Sequence, residues 1–428
     1  MEKLLKFIQE NHDKDVSRLI LDRQKYPEID IDLAINSIES RRKLKGKVQE
    51  WYDNNKLIFP LKLSAEQCSS SSTGAYKAAL AEKIAWGSFD CAQDAIRDAQ
   101  CVKEWRIADL TGGLGVDSWF FSKRASKVLY NDMLHALYDA AGHNFAVLGS
   151  KNIERSCILI SSETISKVLD GFNPDIVYMD PARRGEGGKK VFLIEDCTPD
   201  VLTIKDEIFK YTRHILLKLS PMADITMACN RLGVTCREVH VVATGGECKE
   251  LLIWMDRDWN REYSIKSVEL RQNSESNAFT FIPSDESAAT ADIWCSSKCR
   301  LDDTKVYLFE PGKALMKAGA YNLTSTRFSI LKLGKSTHYY LTDNSEIAKL
   351  LKQYGKVYSI IDYQPLDKRS IKEMGKKFPK AEVSARNIPM DTDSLRKKLG
   401  ITSGDDAHIF GLKSDLEGNI LIAGKRLL

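Results

Sequence analysis

Between about residues 104 and 256, short apolar runs alternate with helix-period segments: RIADLT, KVLYND, CILISSE, DIVYMD and HILLKLS, then CREVHVVA and ELLIWM close together. Strands that read as near-continuous apolar runs are buried on both faces, and parallel neighbours need a crossover helix between them. Five such runs with intervening helices, followed by two more strands, predict a mostly parallel seven-stranded α/β sheet covered by helices on both faces. In a sheet of this kind a ligand sits beyond the carboxyl ends of the strands. The unusual residue groups of this region fall at those ends.

The first run ends in ADLTGGLGVD, which places Asp109 at the strand end and Thr111, Gly112, Gly113 and Gly115 in the turn. Glycines here let a ligand approach the backbone closely and tolerate positive φ. Two nucleotide signatures do not fit. Counted from Gly113, the third glycine of G-x-G-x-x-G is Ser118, and no lysine supplies the G-K-[ST] of a phosphate loop. A bare helix-entry turn remains the alternative.

The second run, VLYND, ends in Asp132, where an acid accepts from ribose hydroxyls, and Met133 follows where an adenine would lie. The third offers Glu163, or its neighbour Ser162, near the position of the adenine amino group. The fourth ends in DPARR, Asp180 to Arg184. Pro181 fixes φ and lacks a donor, which leaves its carbonyl and the Asp180 carboxylate to face a substrate. Arg183 brings a guanidinium plane that can stack on a base or hold a phosphate.

The glycine turn resembles motif I of class I S-adenosylmethionine-dependent methyltransferases, D-x-G-x-G-x-G, with Thr111 in place of the first glycine. DPAR resembles the D-P-P-[YFR] motif of methyltransferases acting on nucleic acid, in the form seen among RNA 5-methyluridine enzymes. Upstream, EQCSSSSTGAYKA resembles the segment that covers the methionine end of the cofactor, with Gln67, Ser69, Ser70, Thr73 and Lys77 as hydrogen-bonding candidates. Cys68 within it reads as a buried small residue. With LKLSPMADI after the fifth strand, the ordered set resembles the THUMP-like-domain class I methyltransferases of Bacteroidetes-type bacteria over nearly the whole chain.

That resemblance implies a Rossmann-like methyltransferase domain with a helical N-terminal region and C-terminal α+β domains, one ferredoxin-like and one THUMP-like. It implies an S-adenosylmethionine site formed by the upstream segment, the glycine turn, Asp132, Met133, Glu163 and Asp180. Asp180 and the Pro181 carbonyl would accept from an exocyclic amine and aim its lone pair at the methyl sulfonium, with Arg183 against the base. The 5-methyluridine chemistry needs a cysteine nucleophile after the fifth strand, where this chain has Ser220 and Pro221. The expectation is therefore direct N-methylation of an RNA base, in tRNA or rRNA, without a metal. The alternatives are a small-molecule or protein methyltransferase, and a non-catalytic RNA-binding protein whose methyltransferase fold is a relic.

Flanking segments divide the chain into expected domains at 1–95, 96–276, 277–320 and 321–428. The first carries helix-period apolar positions, and its serine run passes at once into helical spacing at Tyr76, Ala79, Leu80 and Ile84, which predicts an ordered helix entry rather than a linker. From Tyr321 onward 19 Lys/Arg stand against 12 Asp/Glu, while the whole chain nets +4. Lys368, Arg369, Lys372, Lys376, Lys377, Lys380, Arg386, Arg396 and Lys397 are the candidates for RNA phosphate contacts; a solvated lysine-rich face is the competing explanation. Ten scattered cysteines without C-x-x-C pairing suit reduced buried thiols. MEKLLKFIQENHDKD turns polar too early for a secretory signal, and no apolar run is long enough to span a bilayer, so a cytoplasmic protein is expected.

Overall fold

The computed structural model describes residues 1–87, 104–183, 194–271, 277–301 and 305–427, and of Arg183 the backbone. Two compact units form: Met1–Arg237 with Leu251–Arg261, and Glu238–Glu250 with Glu262–Leu428.

In the first unit, helices Glu2–Asn11, Ile31–Leu44, Lys62–Gln67 and Ser71–Trp86 precede the sheet. Leu4, Phe7, Ile8, Ala34, Ile35 and Ile38 form a small apolar core between the early helices. The serine run is an ordered helix start. Ser70 caps Ser71–Trp86 by accepting from Thr73 N at 3.3 Å, and Thr73 Oγ1 accepts in return from Ser70 N at 3.0 Å. Buried Asn144, on helix His135–Val147, fastens the segment before Lys62–Gln67, exchanging hydrogen bonds with both backbone groups of Ile58 at 3.0 and 2.8 Å.

The strands of the central sheet are β1 (Arg106–Asp109), β2 (Lys127–Asn131), β3 (Ile153–Ser156), β4 (Ile176–Met179), β5 (His214–Leu219), β6 (Cys236–Thr244) and β7 (Glu247–Asp256). Within the first unit the order is β3-β2-β1-β4-β5-β7. All neighbours are parallel except β5 and β7, which pair His214 with Asp256 through Leu219 with Leu251. The register aligns Asp109 with Tyr130 on one side and Tyr178 on the other, so β1, β2 and β4 end level. Asp109, Asp132 and Asp180 are thereby delivered to one edge of the sheet.

One strand differs from the sequence expectation. The third is Ile153–Ser156 rather than the apolar run CILISSE. β2 is five residues long and its last ladder partner is Ser156; beyond it Asn131 takes over with its side chain, accepting from Ile158 N at 3.1 Å and donating to Ile158 O at 2.9 Å. The chain after Ser156 is thus held by an amide side chain and leaves the ladder.

In the second unit, β6 pairs in parallel with Ser264–Leu270, which pairs antiparallel with Phe279–Phe281. A seven-stranded sheet follows, ordered Leu331–Lys332, Tyr340–Thr342, Tyr307–Pro311, Gly355–Pro365, Gly418–Arg426, Thr402–Ser414, Lys380–Arg386. Helices Lys368–Lys377 and Thr392–Leu399 bury Ile371, Met374, Leu395 and Leu399 in one core with Ile409 and Leu421 of the sheet.

Candidate active site

The turn after β1 is built from its own polar groups. Asp109, 1% exposed, accepts from Ser118 Oγ at 2.6 Å and from Thr111 N at 3.2 Å. Burial pushes its carboxyl up to about 8, against the opposing pull of the Ser118 hydroxyl. Both of its oxygens are engaged within the turn.

Gly113 and Gly115 have φ of 54° and 90°, which a residue with a side chain adopts only under strain. Gly112 is required sterically, because a Cβ there would stand 2.2 Å from the Tyr130 ring. The Tyr130 hydroxyl in turn donates to Gly113 O at 2.7 Å. Beside Gly113 a Cβ would find nothing closer than Thr111 O at 3.9 Å, so the turn presents bare backbone to open space.

Asp132 locks that backbone. It accepts from Gly113 N at 2.8 Å and from Leu134 N at 2.9 Å while remaining 8% exposed. Burial raises its carboxyl above the usual range, opposed by these two backbone donors. Met133 is 52% exposed next to it. A cradle of bare backbone, an acid at the second strand end and an exposed apolar side chain beyond it fit S-adenosylmethionine at its ribose and adenine. Glu163 and its neighbour Ser162 lie exposed in the turn before helix Ile165–Leu169.

Thr111 joins this turn to the fourth strand end. Its Oγ1 accepts from Asp180 N at 2.6 Å, two residues beyond the last pair of β1 with β4, Asp109 with Tyr178. Pro181 is buried, and the backbone of Ala182–Arg183 pairs with Cys197–Thr198. The Arg183 side chain and Arg184 lie outside the described residues. Lys218 near the end of β5 reaches across to Asp180 Oδ2 at 2.5 Å, its side chain 11% exposed.

Behind the turn lies a buried charge cluster. Lys77, fully buried on helix Ser71–Trp86, donates to Ser69 Oγ at 2.8 Å and pairs with Asp117 Oδ1 at 3.3 Å. Asp117 Oδ2 accepts from Ser69 Oγ at 2.9 Å and from Tyr178 OH at 2.8 Å. Burial alone would raise the Asp117 carboxyl, but Lys77 first and then Lys218 outweigh it and hold it below the usual range. Of the upstream candidates, then, Ser69 and Lys77 bond to this cluster, Ser70 and Thr73 form the capping box, and Gln67 is exposed at the end of its helix. Burial pushes the Cys68 thiol up, which suits a small packed residue.

Four contributors escaped sequence reading: Asp117, Ser118, Tyr178 and Lys218. Lys218 left a signal, being the one charge inside HILLKLS. Among the described residues, no group of three or more His, Cys, Asp or Glu could hold a metal ion, and no helix is long and apolar enough to cross a membrane.

A crystal structure of a candidate methyltransferase from Porphyromonas gingivalis W83 matches with a TM-score of 0.82 and 24% identity, covering 100% of this chain and 98% of that one. The chain shares the fold of that candidate methyltransferase over its whole length. Family models for a ferredoxin-like domain and a THUMP domain-like module match residues 307–347 and 355–426. An rRNA methylase from Streptococcus thermophilus (12% identity, 41% of this chain, 93% of that one, TM-score 0.29) and a candidate methyltransferase from Streptococcus mutans in complex with SAH (16%, 39%, 98%, 0.27) match at scores that carry no argument. Among curated proteins none matches the sequence.

On the THUMP-like module, Lys368, Arg369, Lys372, Lys376, Lys377, Lys380, Arg386 and Lys397 are exposed. Arg369 pairs with Glu373 at 2.8 Å and Lys377 with Asp362 at 2.7 Å. Arg396 is half-buried and donates to Ser403 Oγ at 2.6 Å and Glu382 at 3.3 Å. The apolar face of helix Lys368–Lys377 points into the core, so its basic residues face outward.

Proposed function

We propose that the methyltransferase unit works on RNA, transferring a methyl group from S-adenosylmethionine to a base nitrogen of structured tRNA or rRNA. The observation that carries this reading is the hydrogen bond from Asp180 N to Thr111 Oγ1, which ties the backbone of the D-P-A-R motif to the glycine turn. When bound, the cofactor supplies an electrophilic methyl carbon on a sulfonium. The glycine turn, Asp132, Met133 and the Glu163 turn hold it. Asp180 and the Pro181 carbonyl would accept from the two N–H groups of an exocyclic amine and aim its lone pair at that carbon, and Asp180 would take the proton that the nitrogen gives up on methylation. Such a site works by positioning and electrostatics and requires no metal. The exposed lysines and arginines of the THUMP-like module supply backbone contacts, which orient an RNA without reading its sequence.

Calorimetric titration with S-adenosylhomocysteine tests the cofactor half of the proposal; the intact protein should bind it, and no heat at saturating concentrations ends the reading. Incubation of RNA, protein and small-molecule extracts with methyl-labelled cofactor tests the substrate half. Label in RNA is expected, and label confined to either other fraction excludes RNA as the substrate.

A further inference from the structure

We infer that Thr111 and Lys218 are positioning residues for the methyl acceptor, fixing Asp180 by its peptide N–H and by one carboxylate oxygen so that the other oxygen meets the acceptor nitrogen. This rests on reading Asp180 as the group that accepts from the substrate amine.

Asp180 follows the last β4 residue, Met179, and its N–H extends beyond the β1–β4 ladder, whose final pair is Asp109 with Tyr178. The Thr111 hydroxyl stands in for the missing ladder partner at 2.6 Å. Threonine suits this role because its branched Cβ restricts χ1, which narrows the directions its oxygen can take.

Lys218 acts on the side chain. Met179 pairs with Leu217 across β4 and β5, so the next residue on each strand, Asp180 and Lys218, stand level. Its strand neighbours Ile215, Leu216, Leu217 and Leu219 are apolar, and an ammonium so little exposed requires a counter-charge. Lys218 Nζ takes Asp180 Oδ2, which leaves Oδ1 for the substrate N–H. Lys218 also favours the ionised form of Asp117, whose nearer cation is Lys77. Charge therefore alternates Lys77, Asp117, Lys218, Asp180 from the N-terminal helix to the acceptor position.

Thr111→Val, Thr111→Ser, Lys218→Met and Lys218→Arg separate positioning from packing. Each is assayed for S-adenosylhomocysteine affinity and for kcat on whichever extract fraction the wild-type protein labels. Valine keeps the shape and loses the oxygen, so kcat should fall about 10- to 100-fold while cofactor affinity changes less than about threefold; serine keeps the oxygen and should recover most of the rate. Lys218→Met should lower kcat by a similar factor with cofactor affinity held within the same limit, because the Asp180 carboxylate then loses the cation that holds its Oδ2; arginine should restore part of the rate. A Thr111→Val protein as active as wild type, or serine as slow as valine, or a Lys218→Met protein as active as wild type or no faster with arginine than with methionine, overturns the inference. Label found outside RNA removes the RNA reading and leaves this test intact on that fraction; no label in any fraction overturns both.

Discussion

Replacing Lys77 by methionine tests whether the buried pair behind the glycine turn organises the site. The Lys77 side chain is fully buried and the Asp117 side chain 10% exposed, 3.3 Å apart. At an effective dielectric of about 20 this separation corresponds to roughly 5 kcal/mol of attraction, in line with the loss of about 3–5 kcal/mol when one partner of a buried pair is removed. Methionine fills the space and strands the carboxylate. For a unit of this size about 2–4 °C accompanies each kcal/mol, so its unfolding transition should drop by roughly 10 °C at pH 7.5. The loss should depend on pH. In the wild type the Asp117 carboxyl is held low, so it contributes stability above its unfolded value of 3.8 and loses it only as pH falls through the lower folded value. In Lys77→Met burial is opposed only by the more distant Lys218 and the two hydroxyls, the folded value rises, and the ionised form becomes costly as pH climbs past 3.8. The gap between variant and wild type should therefore be widest at neutral pH and shrink toward pH 4. Lys77→Met/Asp117→Asn should regain most of the loss. Differential scanning calorimetry at pH 4.5, 6 and 7.5 measures all of this, and a Lys77→Met transition within 2 °C of wild type, or a gap equal at all three pH values, refutes the reasoning.

Asp109 should behave in the opposite sense, because burial lifts its folded carboxyl to about 8. A raised acid favours the folded state only while protonated: the contribution is complete below the unfolded value of 3.8 and is lost as pH rises toward 8, with an upper bound of about 6 kcal/mol. Asp109→Asn should flatten the fall of the transition temperature between pH 4 and 8; parallel curves for the two proteins would contradict the shift. On the C-terminal module, Lys372→Glu with Lys376→Glu should weaken binding to structured RNA and lower the salt dependence by about one to two ion releases, measured by filter binding from 50 to 200 mM salt. Unchanged affinity with an unchanged slope would remove this face from the RNA interface.

The parts of this molecule legible in its sequence are those whose physics is local. Runs such as DIVYMD and HILLKLS read as strands because burial on both faces demands apolar residues throughout. The serine run read as a helix entry because Tyr76, Ala79, Leu80 and Ile84 resume helical spacing at once, and the capping pair Ser70 and Thr73 that the structure adds is equally local. The third strand failed for the converse reason. At the end of the strand order, Ile153–Ser156 is half-exposed and includes Glu154 and Arg155, so it lacks the apolar signal, while the apolar run after it is held by the Asn131 amide from another strand. The charge cluster was illegible because its members are far apart in the chain: Lys77 and Asp117 are 40 positions apart, and Tyr178 lies 61 beyond Asp117. In sequence Asp117 looks like an ordinary first-turn acid beside a helix N-terminus.

Thr111 is the position where motif and structure diverge, and the divergence has a physical reading. A glycine is needed where φ is positive, at 113 and 115, or where a ring leaves no room for Cβ, at 112. Thr111 is not among the residues with positive φ, so this backbone never required glycine there. The position instead has a polar demand, since the Asp180 N–H has run past the end of its ladder and would otherwise lack that partner. A hydroxyl at 111 meets that demand, and in doing so makes the cofactor turn and the D-P-A-R turn a single mechanical element. Glycine at the same position would offer the Asp180 N–H no side-chain oxygen.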